Sequence, residues 1–151
     1  MMNKEETASA TVTERVAAPI DRVWEVLSDF SAMQRRTAGL TRFTVEGSGA
    51  GAVRTFQIGD GPVMRERLEV FDPVGYRFAY ALLPPAFMEN YLGEVQLKPD
   101  GPEACLVVWS GRCTVSSAQE AAERRVFFEN VYRNGIAWVR KELGVLEKEG
   151  G

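Results

Sequence analysis

The chain has 151 residues, 45% hydrophobic and 26% charged, with a formal net charge of -3 and a pI of about 5.2. A domain of roughly 150 residues buries about 68–70% of its unfolded surface and needs no staple, and the acidic balance excludes nucleic acid or an anionic membrane as the main partner. The absence of histidine removes Ser-His and Cys-His nucleophile pairs and most zinc and non-haem iron sites, so no metal and no cofactor is expected.

Residues 1–9 are polar and read as a flexible tail, as do 147–151, which leaves one domain over 10–146. No signal-peptide core occurs in Met1 to Ala10 and no apolar run reaches the ~18 residues of a spanning helix, so a cytoplasmic protein is expected. Ala10 to Val16 reads as a first strand, which Ala18-Pro19 stops. Pro19 suits the first turn of a short helix with a buried face of Ile20, Val23, Trp24 and Leu27. A break near Asp29 leads through Phe30 to a second short helix around Ser31 to Arg36.

Leu40 to Glu46 is the second strand. The glycine-rich run Gly47-Ser48-Gly49-Ala50-Gly51 is a hairpin turn and not a phosphate loop, because Val53 to Ile58 after it alternates like a strand instead of opening a helix. Asp60-Gly61-Pro62, Asp72-Pro73-Val74-Gly75, Pro84-Pro85 and Pro99-Asp100-Gly101-Pro102 each separate two strand-length runs. Cys105 and Cys113 share the last strand, on the order of 26 Å apart at ~3.3 Å per residue, so both are expected as free, inert thiols. Ser117 to Leu143 reads as one long amphipathic helix with an apolar stripe that includes Ala121, Phe128, Val131, Tyr132, Gly135, Val139 and Leu146. Ser117-x-x-Glu120 is a capping box; Arg140, Lys141 and then Gly144 mark the end. The order predicts an α+β fold: a seven-stranded antiparallel sheet wrapped around the C-terminal helix, with two short helices between strands one and two.

That element order, with Ala18-Pro19-Ile20-Asp21-Arg22-Val23-Trp24 and Asp29-Phe30, Arg65-Glu66-Arg67-Leu68, Glu89-Asn90-Tyr91 and Val108-Trp109-Ser110-Gly111, resembles the helix-grip fold of the START-like (SRPBCC) superfamily. Its members include the polyketide cyclase/dehydratase and lipid-transport group, the pollen-allergen-like proteins and the plant abscisic-acid receptors. Where bacterial relatives often carry Trp-x-Pro, this chain has Arg35-Arg36-Thr37. Leu83-Pro84-Pro85-Ala86-Phe87 is not the receptors' gate or latch, so hormone recognition does not carry over.

Strand alternation picks the inner face without help from the family. Met64, Glu66, Leu68 and Val70 share one side of their strand, with Glu66 the only charge among them. Ala52, Arg54, Phe56 and Ile58 face inward on the strand before, Tyr76, Phe78, Tyr80 and Leu82 on the one after, and Tyr91, Gly93, Val95 and Leu97 on the next. Hairpin pairing sets Arg54 opposite Glu66 and, if Val70 pairs with Tyr76, sets Glu66 beside Tyr80. The strand from Cys105 to Val115 is apolar on both sides; the resemblance favours Ser110 inside and leaves Trp109 on the outer face or at a subunit contact.

Two readings of Glu66 and Arg54 stay open: a structural ion pair, or groups that bind or protonate a ligand. The expected ligand-binding set is Arg54, Phe56, Glu66, Tyr80, Leu82, Phe87, Tyr91, Ser110, Phe128 and Tyr132. The leading expectation is a cytoplasmic binding protein for a small hydrophobic or aromatic, polyketide- or lipid-like molecule in a cavity between sheet and helix. The alternative is a metal-independent aromatase/cyclase or dehydratase using Glu66, Arg54 and Tyr80; the third is an interaction module of chaperone-activator type, with homodimerisation through Trp109 left open.

Overall fold

A computed structural model describes residues 6–145. The elements run β1 (Glu6–Val16), α1 (Ile20–Leu27), α2 (Met33–Arg36), β2 (Leu40–Glu46), β3 (Val53–Ile58), β4 (Met64–Asp72), β5 (Arg77–Leu82), β6 (Glu89–Pro99), β7 (Cys105–Val115) and α3 (Ala118–Leu143). The strands form one antiparallel sheet in the order β1-β7-β6-β5-β4-β3-β2. Every neighbour is a hairpin partner except β1, which pairs with β7, so the two short helices carry the chain from one edge of the sheet to the other. The sheet curls around α3, as the helix-grip expectation requires.

The first strand starts at Glu6, four residues before the expected start, and residues 6–9 of the expected tail pair with Val115 to Arg112. Residues 1–5 and 147–151 lie outside the described residues, and so does Leu146. In α3 the Ser117 Oγ accepts the Glu120 N–H at 3.1 Å, and Glu120 Oε1 accepts the Ser116 N–H at 2.9 Å, which satisfies two amides at the helix start. Gly144 ends the helix at φ 68°, a left-handed cap that glycine adopts without a Cβ penalty.

The buried stripe of α3 is Phe128, Tyr132, Gly135, Ile136, Val139 and Arg140. Val131, expected in it, is half exposed at the margin of the sheet. Arg140 is buried because its Nη1 bonds Glu14 Oε1 at 2.8 Å and its Nη2 bonds the Arg15 carbonyl at 2.8 Å, tying the helix to β1.

Two registers differ from expectation. The β4–β5 hairpin pairs Asp72 with Arg77 and not Val70 with Tyr76, and beyond a bulge between Leu68 and Val70 it pairs Leu68 with Tyr80 and Glu66 with Leu82, so Glu66 and Tyr80 are diagonal and not directly opposite. In β7 the inner side is Cys105, Val107, Trp109, Gly111 and Cys113, so Ser110 lies on the outer face and Trp109 lies inside. The reason is pairing: Val95, buried on β6, stands opposite Trp109, and Ser110 stands opposite Glu94 on the outside.

Three glycines make room for rings. Gly93 and Gly111 are directly paired across β6 and β7; a Cβ on Gly93 would overlap the Tyr80 ring, and one on Gly111 the Tyr132 hydroxyl. A Cβ on Gly135 of α3 would come within 2.6 Å of the Trp109 ring. The glycines thus form a shallow trough in which the aromatic side chains lie.

Candidate functional site

Between α3, α2 and the concave side of β3 to β7 lies a cavity of about 770 Å³, within the roughly 300–1,000 Å³ typical of small-molecule sites. Arg54, Phe56, Glu66, Tyr80, Leu82, Phe87, Tyr91, Phe128 and Tyr132 all line it. Ser110 does not, because its strand parity points it away. Phe87 sits half exposed at the rim, edge-on to Phe127 with ring centroids 6.1 Å apart.

Arg54 and Glu66 face each other on β3 and β4, 4% and 7% exposed. Both guanidinium contacts fall on one carboxylate oxygen: Nε donates to Oε1 at 2.8 Å and Nη2 lies 2.6 Å from the same atom. Nη1 donates to the Phe30 carbonyl at 3.2 Å, and the guanidinium carbon stands 4.2 Å from the Phe30 ring centroid and 5.4 Å from that of Tyr80. The loop after α1 therefore positions the arginine, which positions the acid. Glu66 Oε2 bonds nothing among the described residues, yet no buried polar side-chain atom there is left without a partner. Oε2 accordingly borders open space, and Glu66 lines the cavity.

A second polar cluster consists of phenols. Trp109 Nε1 donates to the Tyr80 hydroxyl at 3.0 Å, the Tyr80 and Tyr91 hydroxyls are 3.5 Å apart, and those of Tyr91 and Tyr132 are 2.7 Å apart. With Trp109 donating to Tyr80, the three hydroxyls form one continuous hydrogen-bonded chain along the cavity wall. Burial raises all three phenol pKa values, with the neighbouring phenols adding to the rise at Tyr91 and Glu66 adding at Tyr80. They are neutral donors near neutral pH.

Sequence reasoning missed Trp109, which stacks on Tyr132 with ring centroids 5.3 Å apart, and Arg36, whose guanidinium lies 5.6 Å from the Trp109 ring centroid. It also missed Phe127 and Asn134, which join the lining from α3. A turn confined to 99–102 would pair Lys98 with Glu103 and set Ser110 inside, whereas the hairpin closes on Pro99 and Cys105 and sets Trp109 on the inner face, a register that no local signal gives. None existed for Arg36 either, because a four-residue helix is too short to show a buried face.

Cys105 and Cys113 are free and buried, as expected; burial pushes the Cys105 thiol up to about 11. Among the described residues no three His, Cys, Asp or Glu side chains come together as a metal site, and no helix is long and apolar enough to cross a membrane.

A model of the family described as polyketide cyclase / dehydrase and lipid transport matches residues 7–148. Among solved structures, the protein XoxI from Bacillus cereus is 25% identical, covering 89% of this chain and 94% of that one with a TM-score of 0.74. Norcoclaurine synthase from Thalictrum flavum, in complex with dopamine and hydroxybenzaldehyde, is 15% identical over 95% of this chain and 91% of its own, with a TM-score of 0.78. The Zhui aromatase/cyclase from Streptomyces sp. R1128 is 24% identical over 92% and 93%, with a TM-score of 0.68. The last two share the fold with this chain.

Proposed function

The chain belongs to the polyketide cyclase / dehydrase and lipid transport family, and on that premise we propose that it is a cytoplasmic binding protein for a small hydrophobic or aromatic molecule carrying polar groups. The observation that carries this reading is the cavity of about 770 Å³ whose walls are mostly aromatic and aliphatic, with the Arg54–Glu66 pair and the phenol chain as its polar points. A large apolar cavity with a few convergent polar groups is what orients a ligand without dedicated chemistry.

The second reading, a metal-independent aromatase/cyclase or dehydratase, is favoured by Glu66 Oε2, an acceptor open to the cavity. Against it, one Glu66 oxygen is held by Arg54, and the raised phenol pKa values make the tyrosines poor acids at neutral pH. An interaction module built on Trp109 lacks its motive, since that ring is 2% exposed.

The test is a fluorescence titration with the neutral apolar probe N-phenyl-1-naphthylamine. Saturable one-to-one binding is expected, and Leu82→Trp, which fills the cavity from β5, should abolish it while leaving cooperative thermal unfolding in place. Probe binding that is absent, or unchanged by Leu82→Trp in a folded protein, sinks the reading. Turnover of a polyketide-like substrate that is lost in Glu66→Gln with binding retained would favour the enzyme instead.

A further inference from the structure

The sheet ends on two edge strands, β1 and β2, and the fold treats them differently. Helix α3 packs along β1, and Arg140 ties it there through Glu14 and the Arg15 carbonyl. Among the described residues β2 has no such cover: no strand pairs with its far side, and no backbone group of Thr41 to Glu46 bonds outside the ladder to β3. An open edge is usually blunted by lysine, proline or a bulge, because its unpaired N–H and C=O groups template another strand. β2 carries neither lysine nor proline, and its irregularity lies at the start, between Leu40 and Arg42, which leaves 42–46 a regular strand.

The pattern along that edge is self-complementary. Arg42, Thr44 and Glu46 stand exposed on the outer face, and neither charge joins an ion pair among the described residues. Phe43 and Val45 stand on the inner face opposite Phe56 and Arg54, only partly buried against the core. A second copy running antiparallel, with the two-fold axis at Thr44, sets Arg42 against Glu46 and Phe43 against Val45, each twice, and Thr44 against itself. Opposite charges, an aromatic with a β-branched residue, and paired threonines are the cross-strand combinations that stabilise a sheet. Moving the axis by one residue in either direction puts Arg42 opposite Thr44 or Ser48 and loses both charge pairs.

We propose that β2 is a docking edge for a second copy of this chain, joined antiparallel about Thr44 so that the two seven-stranded sheets become continuous. Such a contact is isologous, each patch being its own partner. One strand per subunit makes a small interface, so the dimer is weak and forms as concentration rises. Residues 40–46 do not line the cavity, so the inference stands apart from the ligand reading.

Sedimentation velocity tests it: the wild-type protein should pass from monomer toward dimer between about 1 and about 500 μM. Arg42→Glu and Glu46→Arg, each alone, set like charges opposite one another and should each hold the chain monomeric. Mixed in equal amounts, the two variants should dimerise again, because two acidic positions then face two basic ones; the double variant Arg42→Glu with Glu46→Arg should dimerise by itself. Thr44→Cys should form an intermolecular disulfide under mild oxidation, whereas Thr11→Cys, exposed on β1, should not; the native thiols are buried. A wild-type chain that stays monomeric to the top of the range, a measurement that needs no variant to fold, overturns the proposal. So does a dimer that both single charge reversals leave intact, which places the contact on another surface.

Discussion

Among the described residues two arginine–glutamate pairs are buried or nearly so, and they differ in what surrounds them. Arg140 and Glu14 join α3 to β1, where the guanidinium spends one arm on the carboxylate and the other on the Arg15 carbonyl. Arg54 and Glu66 join neighbouring strands, also with one arm on a backbone carbonyl, that of Phe30, but both members line the cavity. The first pair is a clamp between two elements. The second is a clamp with one carboxylate oxygen turned to open space. The same two residue types thus join two elements in one place, and join two strands at the wall of a cavity in the other. The difference lies in the void beside them and not in the chemistry of the pair.

The largest effect should come from removing one partner. Arg140→Ala should cost about 3–5 kcal/mol in denaturant unfolding by stranding Glu14, and leave probe affinity unchanged. Glu66→Gln should also cost on the order of 3–5 kcal/mol by stranding Arg54, but must in addition shift ligand affinity. Unchanged affinity in Glu66→Gln would make the two pairs the same kind of device.

Replacing the cavity pair together sharpens the comparison. Arg54→Met with Glu66→Leu should be neutral or stabilising by about 1–4 kcal/mol, since apolar groups avoid the desolvation cost of both charges. Displacement titrations on that variant should show a wider range of neutral ligands bound. A smaller loss, about 1–3 kcal/mol, is expected for Gly111→Ala, whose methyl overlaps the Tyr132 hydroxyl and pushes it off Tyr91.

The regions should also part at alkaline pH. Burial holds the phenols of Tyr80, Tyr91 and Tyr132 neutral above the ordinary tyrosine value, while unfolded tyrosine ionises near about 10. Above that pH the unfolded state binds fewer protons, so the stability these groups contribute is full below about 10 and falls as pH rises beyond it. Their phenolate absorbance should appear only with unfolding; a reversible rise in a still-folded protein would mean that the cavity admits bulk water to the phenol chain. The smallest effect is kinetic: at about pH 8 a thiol reagent should label neither Cys105 nor Cys113 before the chain opens.

Local rules settled much of this in advance. Ser117, Glu120 and Gly144 announced the ends of α3 because capping is chemistry between residues three or four apart. The pairing of Arg54 with Glu66 followed from a two-residue period and a short turn, both of which act within one hairpin. Tertiary structure decided the rest. The register in which the β4–β5 hairpin closes moved Tyr80 off Glu66, and β7, apolar on both sides, took its parity from the strands flanking it, which turned Trp109 in and Ser110 out. Arg36 became a lining residue only because the sheet curls far enough to bring the end of α2 over Trp109. Periodicity orders residues along one element, whereas a cavity is the space left between several, and its contents depend on how those elements close around it.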